Sequence, residues 1–151
     1  MQQLEDKMKI AIVQAQWNAE ITDILANSCE DTLKKENVNI IKFNVAGAVE
    51  LPVMAKNIIM YDENVDAVIC IGAVIKGGTD HDKYVASQAA YGCQKVAIDT
   101  SVPVVFGVLT VPNKELALQR ANGEHSYSGI EWANAAIQIV KNIQQLQEDV
   151  I

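Results

Sequence analysis

The chain has 151 residues, half of them apolar, and a formal charge of −7. That length suits one domain spanning 1–151 with a substantial core, and no apolar run is long enough to span a membrane. The acidic balance argues against nucleic acid or an anionic membrane as partner, since either needs a basic surface. The opening Met1 to Lys7 lacks the basic-then-apolar order of a secretory signal. Cys29, Cys70 and Cys93 are widely spaced and odd in number. They form neither a disulfide framework nor a zinc pattern, so reduced, buried thiols in a cytoplasmic protein are expected.

In chain order, residues 1–8 form a short N-terminal arm, and Lys9 to Val13 reads as a strand. Ile21, Ile24, Leu25, Cys29 and Leu33 then recur at helical spacing. Lys34 and Lys35 stand in the last turn of that helix, and Asn37 can close it. Val38 to Phe43 is a second strand, and Val45 to Glu50 a loop holding Gly47. Pro52 fits the first turn of a helix that continues to about Tyr61. Val65 to Ile71 is the most apolar strand and leads into a Gly72 to Thr79 loop. A helix from about Asp82 to Asp99 follows, then a strand from Val102 to Leu109. Pro112 opens a short helix to Arg120, and after the loop Asn122 to Gly129 comes a final helix. Its apolar positions are Trp132, Ala136, Ile139, Val140, Ile143 and Leu146, and residues 147–151 form a frayed tip. Apolar strands alternating with helices predict a three-layer α/β/α sandwich around a four-stranded parallel sheet.

Ligands of open parallel sheets bind beyond the carboxyl ends of the strands. The third such loop carries Gly77-Gly78-Thr79, whose amides and hydroxyl suit a phosphate near a helix N-terminus. Alone, it reads more simply as a glycine turn that lets the chain reverse. His81 begins the next helix, where the dipole favours a neutral ring able to accept a proton; a surface helix-start histidine is the plain alternative. Arg120 is the only arginine, a planar donor fork suited to phosphate or else a solvated helix-end charge. Glu50 can accept polyol hydroxyls or simply stabilise a helix start. Trp17 can stack on a flat heterocycle or plug the sheet edge, and Phe106 reads first as core.

In order and spacing, these positions resemble the lumazine synthase family from about Lys9 to Ile143. The resemblance is carried by Gln16-Trp17-Asn18, Val45 to Pro52, Ile71 to His81, Val105 to Thr110, Gln119-Arg120-Ala121, and Gly129 with Glu131. It implies a flavodoxin-like fold and a transferase of riboflavin biosynthesis. Such an enzyme condenses 5-amino-6-ribitylaminouracil with 3,4-dihydroxy-2-butanone 4-phosphate to give 6,7-dimethyl-8-ribityllumazine. It uses no metal and no organic cofactor. By position, Trp17 would stack on the pyrimidinedione. Ala48, Val49 and Glu50, with Ala73, Val74 and Ile75, would hold the ring edge and ribityl chain. Gly78, Thr79 and Arg120 would hold phosphate, and His81 would shuttle protons.

The resemblance also implies a homo-pentamer in which Phe106 and Arg120 reach a neighbour's site. It allows a sixty-subunit shell and an association with riboflavin synthase. The chain departs from the family where Asp82-Lys83 replaces an aromatic residue followed by an acid. It departs again where Ser126-Tyr127-Ser128-Gly129 replaces Gly-Asn-Lys-Gly, at Ala46 and Val49, and in its short arm. A non-catalytic member of the fold, binding a flavin- or pterin-like ligand or building a shell, is the alternative reading.

Overall fold

In a computed structural model, residues 7–122 and 128–150 are described. Four strands form one sheet: β1 (Lys9–Ala15), β2 (Asn39–Val45), β3 (Ala67–Ile75) and β4 (Val104–Val111). Their order is β2-β1-β3-β4, and every pairing is parallel. Five helices accompany them: α1 (Ala19–Lys35), α2 (Leu51–Tyr61), α3 (His81–Thr100), α4 (Lys114–Asn122) and α5 (Ser128–Asp149). The predicted sandwich is present. No helix among the described residues is long and apolar enough to cross a membrane.

The two central strands explain the layering. Apart from Lys9 and Ile75, every residue of β1 and β3 is buried, so both faces must be covered. Ile10, Ile12, Ile69 and Ile71 point into a cluster with Leu25, Cys29 and Leu33 of α1 and Ala133, Ala136 and Val140 of α5. The alternate residues Ala11, Val13, Val68 and Cys70 face Leu51 and Ala55 of α2 and Ala89, Cys93 and Val96 of α3. Each large aliphatic side chain removed from water in this way contributes about 1.5–3 kcal/mol.

Local signals end the first helix as expected. Asn37 takes φ 58°; its amide donates to the Lys34 carbonyl and that of Val38 to Leu33. This pair of bonds satisfies the last carbonyls of α1. Elsewhere the expected boundaries move. The Gly72 to Thr79 loop is shorter than expected, because β3 keeps pairing with β4 from Gly72↔Val108 through Ile75↔Val111. Pro112 precedes α4 without opening it; the Asn113 side-chain oxygen, accepting from the Leu116 amide at 2.8 Å, caps that helix. The tip expected to fray is helical through Asp149, built from Gln, Leu and Glu, which are good helix formers.

All three cysteines are buried and free. Burial, with a smaller push from the charge of Glu30, raises the Cys29 thiol to about 12. The Cys93 thiol beside it, together with burial, holds Cys70 protonated.

Two close approaches set the helix positions. A Cβ at Gly129 would strike the Ser28 side chain and lie 2.6 Å from the Leu25 carbonyl, so α5 meets α1 backbone to backbone. A Cβ at Gly92 would lie 2.6 Å from Cγ of Pro52, which brings α3 against the first turn of α2. Replacing Gly92 with Ala should therefore cost about 1–3 kcal/mol of stability through overpacking. Urea unfolding measures this, and an unshifted midpoint would mean that the two helices can part without loss.

Candidate functional site

Because the sheet is parallel, the loops after Ala15, Val45, Ile75 and Val111 leave from one edge. The first two are laced together: the Gln16 amide donates to Val45 and the Trp17 amide to Ala46, at 2.8 and 3.0 Å. These bonds hold the Trp17 ring against Gly47, where an added Cβ would come within 3.3 Å of Cε3. A side chain there would press on the ring and shift it by a few tenths of an ångström. Trp17 is nonetheless 69% exposed, so it is no plug over the sheet.

Asn18 follows in the left-handed region with φ 62°. Its side-chain amide donates to the Ala73 carbonyl at 2.8 Å, tying the start of α1 to the end of β3. The sequence shows this residue as part of the Gln16-Trp17-Asn18 motif but assigns it no role. Its signal is that asparagine tolerates positive φ better than most residues.

Between these elements and the start of α3 lies a cavity of about 240 Å³. Its walls are Ala15, Trp17, Asn18, Ala48, Ala73, Val74, Ile75, Gly77, Thr79, His81, Asp82 and Val85. Five further expected residues fall outside this lining. Gly78 adjoins the wall between Gly77 and Thr79. Val49 and Glu50 sit beside Ala48 in a single 3-10 turn outside the lining. The Glu50 carboxylate folds back to accept the Gly47 amide at 3.1 Å, closing its own turn. Phe106 stands on the edge strand β4 opposite Cys70 and packs with the α2–α3 cluster, outside the cavity lining. Arg120 lies exposed in the last turn of α4. Ala117 and Ala121 of that helix pack on the opposite face of the sheet from α3.

The phosphate-like loop is open. Neither Gly77 nor Gly78 has a positive φ, and an added Cβ at either would meet nothing within 4 Å. Turn geometry therefore does not require glycine there. The Thr79 hydroxyl accepts the His81 amide at 3.3 Å, which starts α3 and sets His81 on the cavity rim. Asp82, noted in the sequence only as a departure from the family pattern, lines the same wall. One of its oxygens, Oδ1, is buried and has no hydrogen-bond partner among the described residues. Ser126 and Tyr127, where the chain departs from the family pattern, lie outside the described residues.

Fold and cavity together define a parallel-sheet α/β protein with a small-molecule site at the carboxyl edge of the sheet. The sequence matches the 6,7-dimethyl-8-ribityllumazine synthase family over residues 7–144 and belongs to that family. Three relatives carry that name, from the Coxiella burnetii strains Dugway 5J108-111, CbuG_Q212 and RSA 493 / Nine Mile phase I. Each is 40% identical over 146 residues, covering 95% of this chain and 96% of its own length. Among solved structures, a 4-deoxy-L-threo-5-hexosulose-uronate ketol-isomerase complexed with a tartrate aligns at a TM-score of 0.35 and 13% identity. That alignment covers 91% of this chain and 76% of the other; the likeness is too slight to bear on function.

The Asn18 link yields a prediction about the site's frame. Asn18→Ala loses both the bond to Ala73 and the residue suited to positive φ, for a combined loss of about 2–3 kcal/mol. Asn18→Gly should recover the backbone share only. Equal urea midpoints for the two variants would show that the φ of 62° carries no cost.

Proposed function

We propose that the protein condenses 5-amino-6-ribitylaminouracil with 3,4-dihydroxy-2-butanone 4-phosphate, releasing phosphate and water to give 6,7-dimethyl-8-ribityllumazine. One observation carries this reading: a single cavity collects Trp17, Ala48, the Ala73–Ile75 strand end, Thr79 and His81 in a chain of this family. The exposed Trp17 ring offers a face on which the pyrimidinedione stacks. The backbone of Ala48 to Glu50 and of Ala73 to Ile75 holds the ring edge and the ribityl chain. Glu50 keeps one carboxylate oxygen for ribityl hydroxyls while the other closes its turn.

Phosphate sits over Gly78 and Thr79, where the loop is open enough for close approach to backbone amides. His81 stands on the rim between that loop and the ring and moves protons during imine formation and phosphate loss. Holding both reactants in one cavity supplies much of the rate gain, and fixed donors at the leaving phosphate supply more.

Incubation of the protein with both substrates, following lumazine absorbance, tests the assignment; a rate no faster than the spontaneous reaction would overturn it. His81→Ala should keep the fold and lower turnover about 10²-fold after the uncatalysed rate is subtracted. Unchanged turnover removes His81 from the mechanism.

The same reading makes the protein a cytoplasmic homo-pentamer of one-domain chains, a ring that can pack further into a sixty-subunit shell. Arg120 and Phe106 then complete a neighbour's cavity, which fits their lying outside the cavity of their own chain. Exposed apolar surface supports association. Tyr84, Tyr91 and Ile98 recur every seventh residue of α3 and are 68, 71 and 69% exposed, and Val53 and Met60 of α2 are exposed too. Trp132, Ala136 and Val140 of α5, by contrast, pack within the chain. Light scattering on dilute, active protein should give five times the 16.5 kDa chain mass. A fully active monomer overturns the shared site.

A further inference from the structure

β1 turns Ile10 and Ile12 towards α1, and alternation along the strand brings Gln14 to that same face. An aliphatic side chain at position 14 would continue the apolar cover, whereas a buried glutamine must be paired. Its side-chain amide donates to Thr22 Oγ1 at 3.1 Å and to Asp23 Oδ1 at 2.6 Å, which occupies its two hydrogens. The second of these ends on a carboxylate and is the stronger kind of bond. Thr22 passes its own hydrogen to the Ala15 carbonyl at 2.9 Å. Three bonds thus tie the end of β1 to the start of α1 and close residues 14–23 into a loop. Trp17 stands within that loop, on the cavity wall and largely exposed.

We propose that Gln14 is a positioning residue for Trp17, fixing through Thr22 and Asp23 the turn that presents the indole ring to the cavity. The inference rests on the stacking role assigned to Trp17 in the condensation. Gln14 is no part of the cavity wall; it faces α1, across the sheet from α2 and α3. The Gln16 and Trp17 amides hold the loop to the end of β2, and Asn18 holds it to β3. Those bonds leave open the angle at which the chain turns from β1 into α1, and the Gln14 bonds set it. An exposed ring has little packing of its own to hold it, so its place is inherited from this backbone. Gln14 therefore acts on the pyrimidine and not on the phosphate, which sits over Gly78 and Thr79.

Calorimetric titration of the assembled, full-length protein with 5-amino-6-ribitylaminouracil, and separately with inorganic phosphate, tests this, together with time-resolved anisotropy of the indole emission. Trp17→Phe isolates the signal of Trp132, the other tryptophan, which packs against the core. Gln14→Met keeps the length of the side chain and removes both donors. It should speed the local rotation of Trp17, weaken the pyrimidine about fivefold and leave phosphate binding unchanged. Asp23 is exposed, and Asp23→Ala should change both readings less and in the same direction. Circular dichroism checks each fold, and where Gln14→Met fails to fold, Asp23→Ala decides on the same readings. Unaltered pyrimidine affinity or unaltered Trp17 rotation in the deciding variant overturns the inference, as do equal losses for both ligands. Wild-type protein that does not bind the pyrimidine overturns the condensation reading and this inference with it. Binding that falls in Trp17→Ala but not in Gln14→Met overturns this inference alone.

Discussion

Everything in this molecule depends on β1 and β3 being apolar on both faces while running in the same direction. The first property requires helices above and below the sheet, because neither face can meet water. The second requires each connection to return the chain to the same starting edge, which a crossover helix accomplishes. Together they send every loop that follows a strand to one rim. A cavity there is therefore a product of topology before it is a product of particular side chains.

Particular side chains then decide what that rim can hold. Trp17 lies over Gly47, Asn18 grips the Ala73 carbonyl, and Thr79 starts the helix that presents His81. The first two contacts join different elements, and the third is local to the start of α3. The rim is thus braced where Trp17 and Asn18 meet their neighbours. Such bracing is what positional catalysis requires.

Much of this was legible in the sequence, for physical reasons that can be traced residue by residue. The runs Lys9 to Val13 and Val65 to Ile71 announced buried parallel strands because nothing polar interrupts them beyond Lys9 and Asp66 at their starts. Asn37 and Pro52 marked helix ends through their own backbone preferences. Gly72 misled, since a glycine reads as a turn until the strand beside it is known. Pro112 misled because Asn113, one residue on, competed successfully to cap the helix. Within the site, Trp17, Thr79 and His81 were readable because they fall in loops at the correct end of strands. Asn18 and Asp82 were visible only as a motif residue and a departure from the family, because a positive φ and a place on the cavity wall exist only once the tertiary structure does. Phe106 and Arg120 lie outside the cavity lining of their own chain.

The strand order has a consequence for how the chain comes together in time. β1 lies between β2, which follows it directly, and β3, which follows only after α2. A chain emerging in order can pair β1 with β2 early, yet one edge of β1 and much of both faces stay uncovered until β3 arrives. Pairing across such sequence separations is slow to nucleate, and an apolar, half-paired strand is the kind of species that associates with others like it. The moment at which residues 67–75 leave the ribosome therefore divides a sticky intermediate from a chain able to close its sheet.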